Sequence, residues 1–249
     1  MKKPIIIGNW KTNPETLQEA KKNILAIEKK VKDKKQNYLL AVPDAYISTL
    51  KDIKSKAIIG AENISGLELG AYTGTTTASM LKSAGALFTI LGHSEVRTQG
   101  ETDEIINKKI KQSLASGLFV VICVGESIRD KEAKYLKVVE EQLLKSLAGV
   151  NRELFSKIII AYEPIWAIGA KNPANTHECF EMAIAIRRAL ASFATIDYAK
   201  KVSIIYGGAV TEENSASFIT DGGVDGLLVG RASLNPTSFS KIITNCYAK

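Results

Sequence analysis

The chain has 249 residues, 45% of them hydrophobic and 24% charged, with a net charge of +7; this is the composition of a soluble globular protein with enough chain for a sizeable core. Its cysteines, Cys123, Cys179 and Cys246, are odd in number, widely spaced and without any CxxC, which argues against a disulfide framework or a zinc site and fits a reducing compartment. The positive charge does not read as a nucleic-acid surface, because Lys21, Lys22, Lys29, Lys30, Lys32, Lys34 and Lys35 spread over helical surface with no interleaved aromatic residues.

The opening MKKPIIIGNWK has a basic start but only three consecutive isoleucines, far short of a signal-peptide core or a membrane span, so a cytoplasmic location is expected. Ile5 to Ile7, β-branched and ended by a glycine, predicts a strand covered on both faces. Pro14 then stands where a helix would begin, and Leu17, Ala20, Ile24, Ile27 and Val31 form one apolar stripe. The alternation repeats. Strands are predicted near Tyr38 to Val42, Lys56 to Ala61, Phe88 to Leu91, Phe119 to Val124, Ile158 to Tyr162, Val202 to Tyr206 and Gly226 to Val229. Helical patterns lie around Tyr46 to Lys54, Ala78 to Ala84, Thr102 to Ser116, Lys131 to Leu147, His177 to Phe193, Asn214 to Ile219 and Pro236 to Tyr247.

No Pro/Gly/Ser-rich linker divides these eight units, and the strands are short continuous apolar runs, as in a parallel sheet with both faces covered. The fold class read from this is α/β, a closed (β/α)8 barrel, with one catalytic domain over residues 1–249. The runner-up is an open doubly wound sheet, but no GxGxxG follows the first strand.

In such a barrel the carboxyl ends of the strands converge on one face. Asn9 and Lys11 follow strand 1, His93 follows strand 4 in LGHSE, Glu163 follows strand 6 in AYEPIW, and the glycine-bearing turns YGGAV and LLVGRAS follow strands 7 and 8. A carboxylate can take a proton from carbon beside a carbonyl, while an imidazole and an ammonium stabilise the charge developing on the oxygens. Glycine turns with free N–H groups suit a phosphate dianion. The set describes proton shuttling on a small phosphorylated carbonyl compound, with neither a metal nor a cofactor required.

These residues resemble the triosephosphate isomerase family from end to end. The matching motifs are GNWK at Gly8, GAYTG at Gly70, LGHSE at Leu91, CVGE at Cys123, AYEPIWAIG at Ala161, YGG at Tyr206 and DGLLVG at Asp225, in the family's order. The resemblance implies that Glu163 is the base moving a proton between C1 and C2, and that His93 shuttles protons on the enediol(ate) oxygens. It gives Lys11 and Asn9 substrate binding and charge stabilisation, with Glu95 and Tyr206 as supporting partners. Backbone N–H groups of Gly169, Ala209, Gly230 and Arg231 would meet the phosphate. It further implies a lid over Pro164 to Ala174 and a homodimer through the loop around Thr73, with no nucleic acid or membrane as partner.

Four departures from the family pattern stand out. The usual TGKTA after the lid's AIG is here Ala170, Lys171, Asn172, Pro173 and Ala174; YGGSV has become YGGAV, with Ala209 replacing the serine; GHSERR has become GHSEVR at Val96; and Glu62 replaces a usual glutamine. They bear on lid latching and dimer strength rather than on the reaction class. A metal-dependent sugar-phosphate epimerase would need His and Asp ligands at several strand ends, whereas the second histidine, His177, lies in the sixth helical pattern. A non-catalytic relative would be marked by loss of Glu163, His93 or Lys11, and all three are present.

Overall fold

The computed structural model describes residues 3–31, 36–169 and 173–248. Strands and helices alternate as β1 (Ile5–Asn9), α1 (Leu17–Lys30), β2 (Tyr38–Val42), α2 (Asp44–Leu50), β3 (Ala57–Ala61), α3 (Ala78–Ala84) and β4 (Phe88–Leu91). The second part runs α4 (Ser94–Arg97), α5 (Asp103–Ala115), β5 (Phe119–Val124), α6 (Lys134–Ser146) and β6 (Ile158–Tyr162). It ends with α7 (Thr176–Phe193), α8 (Ile196–Lys201), β7 (Ser203–Tyr206), α9 (Ser215–Thr220), β8 (Gly226–Val229) and α10 (Pro236–Tyr247). The strands close into one barrel in sequence order. Every pairing is parallel, and β1 closes the ring by aligning Ile7 with Leu39 of β2 and with Leu228 of β8.

The apolar runs are continuous because each strand feeds two cores at once. Alternate residues pack outward under the helices: Ile6, Leu40, Ile122, Ile160, Ile204 and Leu227 belong to one large cluster with the helix stripes. Their neighbours Ile7, Ala41, Cys123, Ala161, Ile205 and Leu228 fill the barrel interior. Two residues further along the inward rows come Asn9, Gly125, Glu163, Gly207 and Gly230. The period-2 pleat that packs the interior therefore also selects which residues crown it.

Helix ends differ from the sequence expectations where polar side chains intervene. The α1 helix starts at Leu17 rather than Pro14, because the Thr16 side chain caps it by accepting from the N–H of Glu19. The α6 helix starts at Lys134 rather than Lys131, since Asp130 gathers the N–H groups of Glu132, Lys134 and Tyr135 into a turn. The second helical pattern is helical only over Asp44–Leu50. Short elements with no periodicity of their own were not anticipated: α4, α8, and the 3-10 turns Arg152–Lys157, Ile165–Ala167 and Arg231–Leu234.

Candidate active site

At the carboxyl end of the barrel lies a cavity of ≈ 370 Å³. It is lined by Asn9, Lys11, His93, Glu95 and Glu163, and on its other side by Gly169, Ala209, Gly230 and Arg231. Of the residues expected at the site only Tyr206 stays out of it: the ring is fully buried and stacked on Phe218 at 3.9 Å. Its hydroxyl is buried and faces the Ala209 N–H.

Glu163 stands one residue past β6, its N–H bonded to the carbonyl of Val124 at 2.8 Å. That close crossing needs Gly125, where a Cβ would sit 1.7 Å from the Glu163 carbonyl oxygen. The residue is 2% exposed. Its Oε2 accepts from the Ser94 N–H at 3.0 Å, and its Oε1 lies 3.1 Å from His93 Nε2. Burial raises its acid above the ordinary carboxylate range, against the opposing pull of His93, the Ser94 N–H and the Cys123 thiol beneath it. A carboxylate so placed is a stronger base than one in water.

His93 is out of phase with the inward residue Ile90. Gly92, at φ +70°, turns the chain so that the imidazole still faces the cavity. The ring caps α4: Nδ1 accepts the Glu95 N–H at 3.2 Å. An accepting Nδ1 leaves the proton on Nε2, which donates toward Glu163 Oε1.

Lys11 adopts φ +55°, a conformation costly for a side-chain-bearing residue, and its N–H bonds Asn9 Oδ1 at 3.1 Å. Its ammonium contacts Glu95. Across the cavity the turns after β7 and β8 present Gly207 to Ala209 and Gly230 with Arg231. The site therefore has a base and an N–H donor in contact, a cation to one side, and a backbone-lined wall opposite.

The triosephosphate isomerase family model matches residues 4–246. The chain belongs to the triosephosphate isomerase family. A triosephosphate isomerase of Thermoanaerobacter pseudethanolicus is 38% identical over 247 residues, covering 98% of this chain and 99% of that protein. One of Finegoldia magna is 39% identical over 249 residues, covering 98% of each. The crystal structure of triosephosphate isomerase from Bartonella henselae superposes with a TM-score of 0.86 at 34% identity, covering both chains completely.

Sequence reasoning missed the groups that hold these side chains in place. Ser94 supplies a backbone donor and Cys123 a thiol, and neither type signals such a role in a sequence. Glu126, in the CVGE motif, accepts from both Tyr162 and Trp166.

Among the family departures, the replaced lid residues Ala170, Lys171 and Asn172 lie outside the described residues. Glu62 continues the inward row of β3 above Ile58 and Gly60, and its Oε1 is buried without a hydrogen-bond partner. Burial first, and the Asp44 carboxylate second, push its acid up to about 8. The ordinary value is 4.5, so below that pH the folded and unfolded chains both hold the proton. As pH rises toward 8 the unfolded chain gives it up and the folded chain does not, so stability falls by up to about 1.4 kcal/mol per pH unit. Glu62→Gln removes the titration. Its melting temperature relative to the parent should climb steadily between pH 5 and pH 8, and an offset independent of pH would show that Glu62 ionises freely in the folded protein.

Proposed function

We propose that this chain, as a single catalytic domain over residues 1–249, interconverts dihydroxyacetone phosphate and D-glyceraldehyde 3-phosphate, the isomerase step shared by glycolysis and gluconeogenesis. The observation that carries this reading is the contact of Glu163 with His93 Nε2 at 3.1 Å inside a cavity that also holds Lys11 and two glycine turns. Glu163 takes the proton from C1, and the electron pair moves toward the C2 oxygen. His93 Nε2–H and the Lys11 ammonium stabilise the charge there. The imidazole passes a proton to the C2 oxygen and recovers one from the C1 oxygen, and Glu163 returns its proton to C2. Substrate has to enter between Glu163 and His93, exchanging their mutual contact for contacts with carbon and oxygen. The phosphate is held by N–H groups of Gly169, Ala209, Gly230 and Arg231, and Asn9 orients the oxygens.

The segment after Glu163 carries Ile165 and Trp166 on a 3-10 turn and Gly169 at φ +73°. Its proposed role is a lid that excludes water from the enediolate. The buried Tyr206 hydroxyl, beside the Ala209 N–H, supports this reading as a latch for the closed lid, while Ala209 offers no side-chain donor. A coupled assay with purified protein tests the function: rapid interconversion of the two triose phosphates without added metal is expected, and its absence would remove the proposal.

A homodimer is the second part of the reading. The loop around Thr73 exposes Leu67, Leu69 and Tyr72, with Leu69 at 72%, more apolar surface than one loop ordinarily offers to water. Sedimentation at micromolar concentration should give twice the 27.0 kDa chain mass, and Thr73→Arg should shift it toward the monomer with loss of activity. A fully active monomer would contradict this, with Val96 the first residue to examine. The predicted location remains the cytoplasm; among the described residues no helix is long and apolar enough to cross a membrane.

A further inference from the structure

The cavity wall after β8 carries a charge that no step of the proposed reaction uses. Among the described residues two cations line the cavity, Lys11 and Arg231, and two carboxylates, Glu95 and Glu163. Lys11 already contacts Glu95. Glu163 faces the His93 imidazole and the Ser94 N–H rather than a cation. Arg231 is not occupied in this way: Arg97, Arg129 and Arg187 each pair with a carboxylate, whereas among the described residues no carboxylate pairs with Arg231. The residue is exposed. Without it the described lining would carry one net negative charge, that of Glu163, and a phosphate dianion would enter against that charge.

The backbone that carries Arg231 is held firmly. The Gly230 carbonyl accepts from both the N–H and the hydroxyl of Ser233, at 2.9 and 2.7 Å. The Ser233 carbonyl in turn accepts from Nε1 of the buried Trp10 at 3.2 Å. The turn bearing the guanidinium is thus fastened to the strand end that bears Asn9 and Lys11. A guanidinium presents its donors in a planar fork that matches two oxygens of one phosphate, and a charged pair of this kind is stronger than a bond from a neutral N–H. We propose that the Arg231 guanidinium is a specificity-determining group, which grips the substrate phosphate and so adds to the backbone N–H groups a contact that an unphosphorylated triose cannot make. The inference rests on the reading of the cavity as a triose phosphate site, and it assigns the Arg231 side chain where that reading uses only the backbone N–H. The phosphate is unchanged by isomerisation, so the contact is the same in the ground and transition states and acts on capture rather than on the chemical step.

The test compares kcat/KM for D-glyceraldehyde 3-phosphate with that for D-glyceraldehyde, which has the same reacting carbons and no phosphate. In Arg231→Gln, which keeps the backbone N–H and removes the charge, the ratio of the two should fall about tenfold, with most of the loss in KM for the phosphorylated substrate. Arg231→Lys, a point charge without the fork, should restore part of the ratio. Added sodium chloride should narrow the gap between the parent and Arg231→Gln. A ratio in Arg231→Gln within twofold of the parent would overturn the inference. So would an equal loss on both substrates, which is what damage to the turn alone would give. Inorganic phosphate supplies a readout independent of turnover: by calorimetry it should bind Arg231→Gln about tenfold more weakly than the parent, and equal binding would overturn the inference. Parent protein that binds phosphate but isomerises neither triose removes the proposed function alone, because weaker phosphate binding by Arg231→Gln would still place the guanidinium on the phosphate.

Discussion

Glu163→Asp is expected to turn over at about one-hundredth of the parent rate or less, with substrate affinity changed far less. The backbone at this position is held by the Val124 carbonyl on one side and by the close passage of Gly125 on the other, so it does not advance to compensate for a shorter side chain. The carboxylate retreats by about one methylene from the place where carbon must sit, and proton transfer tolerates little extra distance. Its contacts with the Ser94 N–H and His93 Nε2, at 3.0 and 3.1 Å, lengthen together. The proposed phosphate wall after β7 and β8 is untouched, so KM should stay within a few-fold. Single-turnover measurements separate the two effects, and near-parent turnover by Glu163→Asp would show that another group is the base.

The barrel was legible because each strand repeats one demand. A run such as Ile158 to Tyr162 must be apolar toward the helices at Ile160 and toward the interior at Ala161, so five consecutive apolar residues betray it. The site was legible for the complementary reason: Asn9 and Glu163 are the first polar residues in inward rows that are otherwise apolar, and a polar residue there has no packing explanation. His93 was found from its place just past strand 4 rather than from the inward row, since Gly92 breaks the phase that would have pointed to it. What stayed hidden depends on contacts between distant parts of the chain. Thr16 caps α1 through a T-x-x-E pattern that was open to reading, whereas the pairing of Arg129 with Glu181 spans a separation no local rule connects. Backbone donors such as Ser94 N–H carry no residue signature at all.

Lys11→Met should reduce kcat/KM by about a thousandfold while leaving the fold as stable as before. An ammonium about 4 Å from a unit negative charge at an effective dielectric near 20 is worth about 4 kcal/mol, and a triose phosphate brings two such charges before reaction begins. Part of that attraction exists in the ground state and should appear as a raised KM; the part that grows as the enediolate forms should appear in kcat. Stability should respond little, because the Lys11 side chain is 39% exposed and its partner Glu95 56%, and an exposed pair of this kind contributes little. The left-handed backbone at φ +55° is imposed by the turn and the Asn9 side chain, so methionine inherits it unchanged. Salt supplies an independent check, since mobile ions screen a long-range attraction to a dianion. The parent KM should rise with ionic strength, and the Lys11→Met KM should rise less steeply. A variant with parent-like KM and the same salt slope would place the ammonium outside the substrate's field, leaving Arg231 as the cation that meets the phosphate.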